Sequence, residues 1–126
     1  MALKKILIVD DEDSIREILK HLIAPHFKIE ILEAISGNSA IEQLNGAQDI
    51  ELVICDYRMP DGNGGTVYEL IKEKELLIPF IMMSTDPPEI YSVFTGFYEE
   101  NSKNGFLKKP FRKDTLINFL EKILNK

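Results

Sequence analysis

The chain has 126 residues, of which 44% are hydrophobic and 29% are charged, and its 21 acidic and 15 basic side chains give a formal net charge of −6. This length fits one domain, residues 1–126, with a substantial core, and the acidic balance argues against a nucleic-acid-binding surface on the domain itself. Since no apolar stretch approaches the roughly 20 residues that span a bilayer and the N-terminus lacks a long apolar segment, we expect neither a membrane span nor a signal peptide.

The cysteine and histidine content excludes an internal disulfide and gives no zinc-binding pattern. Cys55 is the only cysteine, so no internal disulfide can form, and this suits a reducing, cytoplasmic location. Because Cys55 lies inside an apolar run, we expect it to be a core side chain. The two histidines lie far from Cys55 in sequence and make no zinc-binding pattern.

The first half of the chain alternates predicted strands and helices. An apolar run ending at Val9 predicts a first strand, and the helical spacing that follows predicts a helix with Asp13 as its N-cap. The next run alternates apolar and polar residues, which is typical of an edge strand. The elements predicted in this half are strand one at 4–9, helix one at 14–24, strand two at 28–33, helix two at 39–44 and strand three at 51–55.

The second half continues the alternation after a loop at 56–65, whose Gly, Pro, Asp and Asn content is typical of a functional βα loop. The helix at 89–99 is the least regular, because Pro87-Pro88 precedes it and because Tyr91, Val93 and Phe94 are poor helix formers. The elements predicted here are helix three at 66–74, strand four at 80–83, helix four at 89–99, strand five at 106–108 and helix five at 112–124.

A strand–helix unit repeated through the whole chain predicts an α/β fold with a five-stranded, doubly wound parallel sheet. With right-handed crossovers, the natural strand order is 2-1-3-4-5, the flavodoxin-like arrangement. Strands one and three are neighbours in that order. The residues that follow these strands, Asp10, Asp11 and Asp56, are therefore expected to converge at the carboxyl edge of the sheet, where ligands bind in such folds.

The chemistry expected at that edge is phosphoryl transfer. Clustered carboxylates repel one another, and a hard cation with oxygen ligands, such as Mg²⁺, relieves the repulsion. Ser84 follows strand four and Lys109 follows strand five, so a hydroxyl and an ammonium group join the acids. Positioning and charge neutralisation account for most of the catalysis of phosphoryl transfer, and carboxylates are known covalent acceptors.

The chain resembles the receiver domain of two-component response regulators over essentially its whole length. Any one matching motif is weak, but their order along the chain, each at the end of a predicted strand, is specific. The matching features are Asp10-Asp11, Asp56 within Asp56-Tyr57-Arg58-Met59-Pro60, Gly64, Ser84 and Lys109-Pro110-Phe111.

The resemblance implies a phosphorelay function for the acidic residues. Asp56 would accept a phosphoryl group from the phosphohistidine of a sensor kinase or a phosphotransfer protein. Asp11 would bind Mg²⁺ directly and Asp10 mainly through water, while Asp56 and the backbone carbonyl of Arg58 would complete the protein ligands. Such a domain catalyses its own phosphorylation and slow dephosphorylation and is not an enzyme in the conventional sense.

The resemblance also implies roles for residues after strands four and five. Ser84 and Lys109 would hold the phosphoryl group, and the Lys109–Pro110 peptide bond would be cis. Movement of Ser84 would free space that Phe106 fills, and this would change the face formed by helix four, strand five and helix five.

Three departures from the family pattern stand out. Phe106 replaces a common tyrosine, so switching would depend on packing alone. Thr85 replaces a small residue and could narrow access to Asp56. The stretch 86–104 matches least, which indicates an altered helix four.

Two other functions stay open. One is a phosphohydrolase of the haloacid dehalogenase type, because Asp11 and Asp13 have the spacing of its nucleophile motif. The other is a receiver-like binding module that is never phosphorylated.

An output domain or downstream partner protein is not identifiable from these residues, and dimerisation through helices four and five also stays open.

Overall fold

The computed structural model describes residues 4–46 and 49–125, so residues 1–3, 47–48 and 126 of the predicted domain lie outside the described residues. Its five strands are all parallel and form one sheet. The strands are β1 (Lys4–Val9), β2 (Ile29–Ala34), β3 (Ile50–Asp56), β4 (Phe80–Ser84) and β5 (Gly105–Lys108). Their order is β2-β1-β3-β4-β5, which confirms the predicted fold class and strand order.

Helices cover both faces of this sheet. The α-helices are α1 (Asp13–Ile23), α2 (Gly37–Asn45), α3 (Gly64–Glu73), α4 (Phe97–Glu100) and α5 (Lys113–Leu120). A π-helical turn at Glu121–Asn125 follows α5 directly, and the two together cover the predicted last helix from residue 113 onward. Among the helices that the structure describes, none combines the length and the apolar character that crossing a bilayer would require.

The alternation of side chains along β1 divides the core into two parts. Leu7 and Val9 face the layer that contains α2 and α3, whereas Ile6 and Ile8 face the layer that contains α1 and α5. All four side chains are fully buried. A strand buried on both faces is a nearly continuous apolar run in the sequence, and β1 has this pattern.

The start of α1 differs from the prediction. Glu12 is the N-cap residue, and Asp13 is the first residue of the helix. The prediction of Asp13 as the N-cap was wrong because its carboxylate bonds the guanidinium group of Arg16, one helical turn later, instead of the helix amides. The N-caps of α2 and α3 are Ser36 and Asn63, which accept hydrogen bonds from backbone amides in the first turn of each helix.

The predicted helix at 89–99 was wrong over most of its length. Two 3₁₀ turns, Pro88–Ile90 and Ser92–Phe94, take its place, and only the four-residue α4 remains helical. Gly96 separates α4 from the turns with a φ of 77°, a left-handed conformation that glycine adopts without strain. The break lets Phe94 and Phe97 both point into the core, where they are 3% and 2% exposed.

Asn104 connects this irregular segment to the sheet. Its Oδ1 accepts a hydrogen bond from the backbone amide of Phe80 at 2.8 Å, and its Nδ2 donates to the carbonyl of Phe97 at 2.8 Å. The residue is 7% exposed. One buried side chain therefore satisfies the first amide of β4 and a carbonyl of α4.

Replacing Asn104 with alanine is expected to lower the free energy of unfolding by about 2–4 kcal/mol, because two buried polar backbone groups lose their partners. Urea denaturation measures the change. Asn118→Ala, at an exposed position of α5, is the matched control and should be close to neutral. Equal stabilities of the two variants would contradict this role of Asn104.

Ion pairs tie the edge strand β2 to α1. Glu33 accepts from Lys20 Nζ through Oε2 at 2.9 Å and from Arg16 Nε through Oε1 at 2.8 Å. The bonds from Lys20 and from Arg16 lower the pKa of Glu33 below its ordinary value of 4.5, against the opposing effect of burial. The ionised form of Glu33 is therefore the one that stabilises the fold.

Because the pKa is lowered on folding, the contribution of Glu33 is fully present above pH 4.5 and is lost as the pH falls through the lowered value. Glu33→Gln is expected to be about 1 kcal/mol less stable than the wild type at pH 7, and the difference should disappear in acid. Denaturation curves at several pH values test this. A difference that stays constant from pH 7 to pH 2 would contradict the assignment.

Candidate functional site

Three carboxylates meet where β1 and β3 end. Asp10 follows β1 directly and Asp56 is the last residue of β3, and these two strands pair with Val9 opposite Cys55. One carboxylate oxygen from each of Asp10, Asp11 and Asp56 lies within 4.8 Å of the others. The predicted strand order makes these two strands neighbours, and this brings Asp10 and Asp11 close to Asp56, which is distant in sequence.

Lys109 brings an ammonium group to the same place. Its Nζ lies 3.0 Å from Oδ1 of Asp56 and 3.5 Å from Oδ2 of Asp10. The Lys109–Pro110 peptide bond is cis, as the resemblance implied. The backbone amide of Lys109 also donates to the carbonyl of Ser84 at 2.9 Å, which fixes the end of β5 against the end of β4.

Burial and neighbouring charges shift the pKa values of the site residues in opposite directions. Burial raises the pKa of Asp56, and the bond and charge of Lys109 only partly offset it. Burial also raises the pKa of Asp10, against the hydrogen bond from the Glu12 amide. For Lys109, burial works to lower the pKa, but the bond and charge of Asp56 and the charge of Asp10 outweigh it, so the pKa is raised. The charged lysine is therefore held as a counter-ion.

The acids fit a hard cation. Asp10 is fully buried, and its Oδ2 receives no hydrogen bond from the residues that the structure describes. A buried carboxylate oxygen without such a bond is costly, and a divalent cation would neutralise it more fully than the Lys109 ammonium group, which lies 3.5 Å away. Asp11 is exposed on the same cluster, so water and an incoming ligand can reach it. An all-oxygen set with solvent access suits Mg²⁺, which uses few carboxylates and keeps several waters.

Ser84 closes the site on the side of β4. It is the last residue of that strand, is 3% exposed, and follows Met83, which pairs with Asp56. Its Oγ accepts a hydrogen bond from the backbone amide of Asp86 at 3.1 Å. The hydroxyl hydrogen is therefore free of that bond and can be donated to a further oxygen.

The remaining predicted site residues lie around this centre. The Arg58 side chain is 74% exposed and pairs with Asp86 at 3.2 Å, while the ligand role of its backbone carbonyl stays a prediction. Phe106 is half-buried and packs against the core cluster that contains Phe94 and Phe97. Thr85 is exposed.

The loop after Asp56 is held by contacts that the sequence alone did not reveal. A Cβ atom on Gly64 would come within 2.8 Å of the carbonyl oxygen of Asp56, so this close approach requires glycine. Asp61 accepts hydrogen bonds from Ser36 Oγ at 3.0 Å and from Asn38 Nδ2 at 2.8 Å. The loop is thus anchored to the start of α2, a partner that is distant in sequence.

A stacked aromatic pair fixes the other side of this loop. The rings of Tyr57 and Tyr91 are 3.9 Å apart between centroids, with an interplanar angle of 19°. In the sequence, Tyr91 stands out only as a poor helix former in the predicted helix at 89–99. The residue directly after Asp56 therefore contacts the irregular segment before α4.

Asp13 does not belong to the acidic cluster. Its side chain is 88% exposed and pairs with Arg16, whereas the haloacid dehalogenase motif needs Asp11 and Asp13 to act in one site. The cluster instead contains the acids of two different strands. The geometry gives that alternative no support.

Comparisons with known proteins show the family of the chain. The family model for the response regulator receiver domain matches residues 6–121. The chain is 30% identical over 122 residues to chemotaxis protein CheY1 of Helicobacter pylori, covering 95% of this chain and 96% of that protein. It is 30% identical over 127 residues to response regulator SaeR of Staphylococcus aureus, covering 96% of this chain but 50% of that protein.

Solved structures show the same fold. The structure resembles chemotaxis response regulator CheY4 of Vibrio cholerae with a TM-score of 0.79 and 27% identity, over 98% of this chain and 100% of that chain. It also resembles the receiver domain of the Francisella response regulator 1452 with a TM-score of 0.80 and 23% identity, over 95% of each chain. None of these matches supports the haloacid dehalogenase alternative. The chain belongs to the response regulator receiver domain family.

Proposed function

We propose that the chain is a phosphoacceptor switch in a two-component phosphorelay, in which Asp56 receives a phosphoryl group in an Mg²⁺-dependent reaction. Receiver domains are signalling proteins and not conventional enzymes. The observation that supports the proposal most strongly is the meeting of three carboxylates with Lys109 at the end of β3. The donor would be the phosphohistidine of a sensor kinase or of a phosphotransfer protein.

In the proposed reaction, a carboxylate oxygen of Asp56 attacks the phosphorus atom of the donor. A phosphorus–oxygen bond forms, the phosphorus–nitrogen bond breaks, and the electron pair leaves with the imidazole nitrogen. Asp10, Asp11, Asp56 and the carbonyl of Arg58 would hold Mg²⁺, which supplies positive charge to the phosphoryl oxygens when bound. Most of the catalysis would be positioning and charge neutralisation.

Lys109 and Ser84 would bind the phosphoryl group once it is on Asp56. Lys109 already lies 3.0 Å from the Asp56 carboxylate, so a modest shift would bring its ammonium group to a phosphoryl oxygen. Ser84 has a hydroxyl hydrogen to donate, because its Oγ accepts from the Asp86 amide. Both contacts would be charge-assisted, which makes them stronger than neutral hydrogen bonds.

The switch would act through Ser84 and Phe106. Movement of Ser84 toward the phosphoryl group would open space beside β4, and Phe106, half-buried on the neighbouring strand β5, would turn into it. This would change the face formed by α4, β5 and α5. Since Phe106 has no hydroxyl group, the change would depend on packing alone.

Location and partners follow from the proposed donor. A sensor kinase or phosphotransfer protein would meet this domain in the cytoplasm, where the buried Cys55 would stay reduced. A downstream protein, an output domain or a second copy of the chain would recognise the changed face.

Intact-mass measurement after incubation with Mg²⁺ and a small phosphodonor tests the proposal. One phosphoryl group is expected on the wild type and none on Asp56→Asn, because an amide is a far weaker nucleophile than a carboxylate. Asp114→Asn, at an exposed position of α5 far from the acidic cluster in sequence, is the control and should still take up the group. A wild type that gains no mass would contradict the proposal and favour a binding module that is never phosphorylated.

A further inference from the structure

Arg16 is a buried cation that the proposed reaction does not use. The residue is 8% exposed, although arginine is almost never fully buried unless it is paired. Its guanidinium group makes three separate contacts, to a carbonyl of the β1–α1 turn, to Glu33 on β2 and to Asp13 on α1. These three contacts hold the guanidinium group in one position.

The contact with the turn lies next to the proposed metal ligands. Nη1 of Arg16 donates to the carbonyl oxygen of Asp10 at 2.7 Å. That carbonyl belongs to the peptide bond joining Asp10 to Asp11, so its orientation sets the relative directions of the two acidic side chains. The Glu12 amide then donates to Oδ1 of Asp10 at 2.9 Å, which leaves Oδ2 facing the cluster.

The other two contacts fix the guanidinium group itself. Nε donates to Oε1 of Glu33 at 2.8 Å, and Nη2 pairs with Asp13. One partner is on the edge strand and the other is on the first turn of α1. Arg16 therefore holds the acidic turn against two rigid elements at once.

Arginine is suited to this task and lysine is not. The planar guanidinium group directs its donors along fixed, diverging lines, whereas a lysine ammonium group is a single point charge on a flexible stem. A lysine at this position could pair with Glu33 or Asp13, but it could not also keep the hydrogen bond to the Asp10 carbonyl in the same geometry.

We propose that Arg16 is a positioning residue for the metal site, since it fixes the Asp10–Asp11 peptide so that both carboxylates face Asp56 before a cation arrives. The inference rests on the proposed function for the identity of the cation. Partners that orient metal ligands without touching the metal typically change metal affinity about 10- to 100-fold when they are removed.

The positive charge of Arg16 works against this effect, because it repels a divalent cation. A variant that removes the charge would mix a loss of positioning with a gain in electrostatic attraction. Arg16→Lys keeps the positive charge and removes the planar guanidinium group with its diverging donors. A change in Mg²⁺ affinity in this variant therefore reports the loss of positioning. Arg112→Lys is the matched control, because Arg112 is 79% exposed and pairs with Asp114 at the surface.

The experiment titrates Mg²⁺ into the wild type and both variants, followed by NMR at a temperature where all three are folded. We expect Arg16→Lys to bind Mg²⁺ roughly 10-fold more weakly, and Arg112→Lys to bind it like the wild type. The amide of Glu12 should also exchange with solvent faster in metal-free Arg16→Lys. Wild-type affinity and wild-type exchange in Arg16→Lys would overturn the proposal.

A second variant covers the case in which Arg16→Lys does not fold. Glu33→Gln weakens the partner that orients Nε, and Glu17→Gln removes the same charge from a residue that pairs with Lys20 at 2.8 Å. Weaker Mg²⁺ binding in Glu33→Gln than in Glu17→Gln supports positioning, and equal binding contradicts it. If the wild type binds no Mg²⁺, the proposed function fails, and the Glu12 exchange rate separately decides whether Arg16 orders the turn.

Discussion

Lys109→Gln is expected to bind Mg²⁺ more tightly than the wild type and to take up a phosphoryl group more slowly. The ammonium group lies 3.0 Å from Asp56 and 3.5 Å from Asp10, so it would compete with a divalent ion for the same oxygens. Removing it leaves the carboxylates with no such competitor, while the transferring phosphoryl group loses a cation. Loss of one preorganised charge donor typically slows such chemistry by roughly 100-fold or more.

Two measurements on the same variant separate these effects. Mg²⁺ titration gives the affinity, and the rate of mass gain with a small phosphodonor at saturating Mg²⁺ gives the transfer step. Lys108→Gln is the matched control, because Lys108 is the exposed neighbour on β5, and both of its values should stay near those of the wild type. If Lys109→Gln lost Mg²⁺ affinity and kept its rate of uptake, the proposed role of Lys109 would be wrong.

Phe94→Ala is expected to lower the free energy of unfolding by about 3–5 kcal/mol, which is the usual cost of truncating a buried aromatic ring. The ring is 3% exposed and lies at the centre of an aromatic cluster. Its centroid is 5.1 Å from that of Tyr68, 5.3 Å from that of Phe97 and 6.1 Å from that of Tyr57. The loss would remove a large part of the stability of a typical domain.

Ile90→Ala is the control for Phe94→Ala. Ile90 lies in the same irregular segment but is 57% exposed, so its truncation should cost about 1 kcal/mol or less. Urea denaturation measures both values. Similar costs for the two variants would indicate that the segment is loosely packed, and would contradict the description of Phe94 as a core residue.

The sheet and the meeting of the acids could be predicted because each strand has a local signal and general rules for parallel sheets set the strand order. Each buried strand is a short apolar run, and parallel strands bring their carboxyl ends to one edge. The predicted strand order then places the ends of β1 and β3 side by side. The convergence of Asp10, Asp11 and Asp56 at one edge of the sheet follows from that order.

The segment before β5 could not be predicted in the same way, because its structure depends on distant partners. The helical pattern at 89–99 is overruled by the packing of Phe94 and Phe97 into the core and by the bonds of Asn104. Arg16 was missed for a similar reason. No local signal in the sequence points from Arg16 to Glu33 on the next strand or to the carbonyl of Asp10.

The most direct test of the account is chemical identification of the phosphorylated residue. Borohydride reduces an aspartyl phosphate to homoserine, so treatment after incubation with Mg²⁺ and a phosphodonor marks the acceptor for peptide mass spectrometry. We predict homoserine at position 56 with Mg²⁺ and unmodified aspartate there when the ion is chelated. Homoserine at position 11, or phosphorylation on a side chain outside the acidic cluster, would contradict the account.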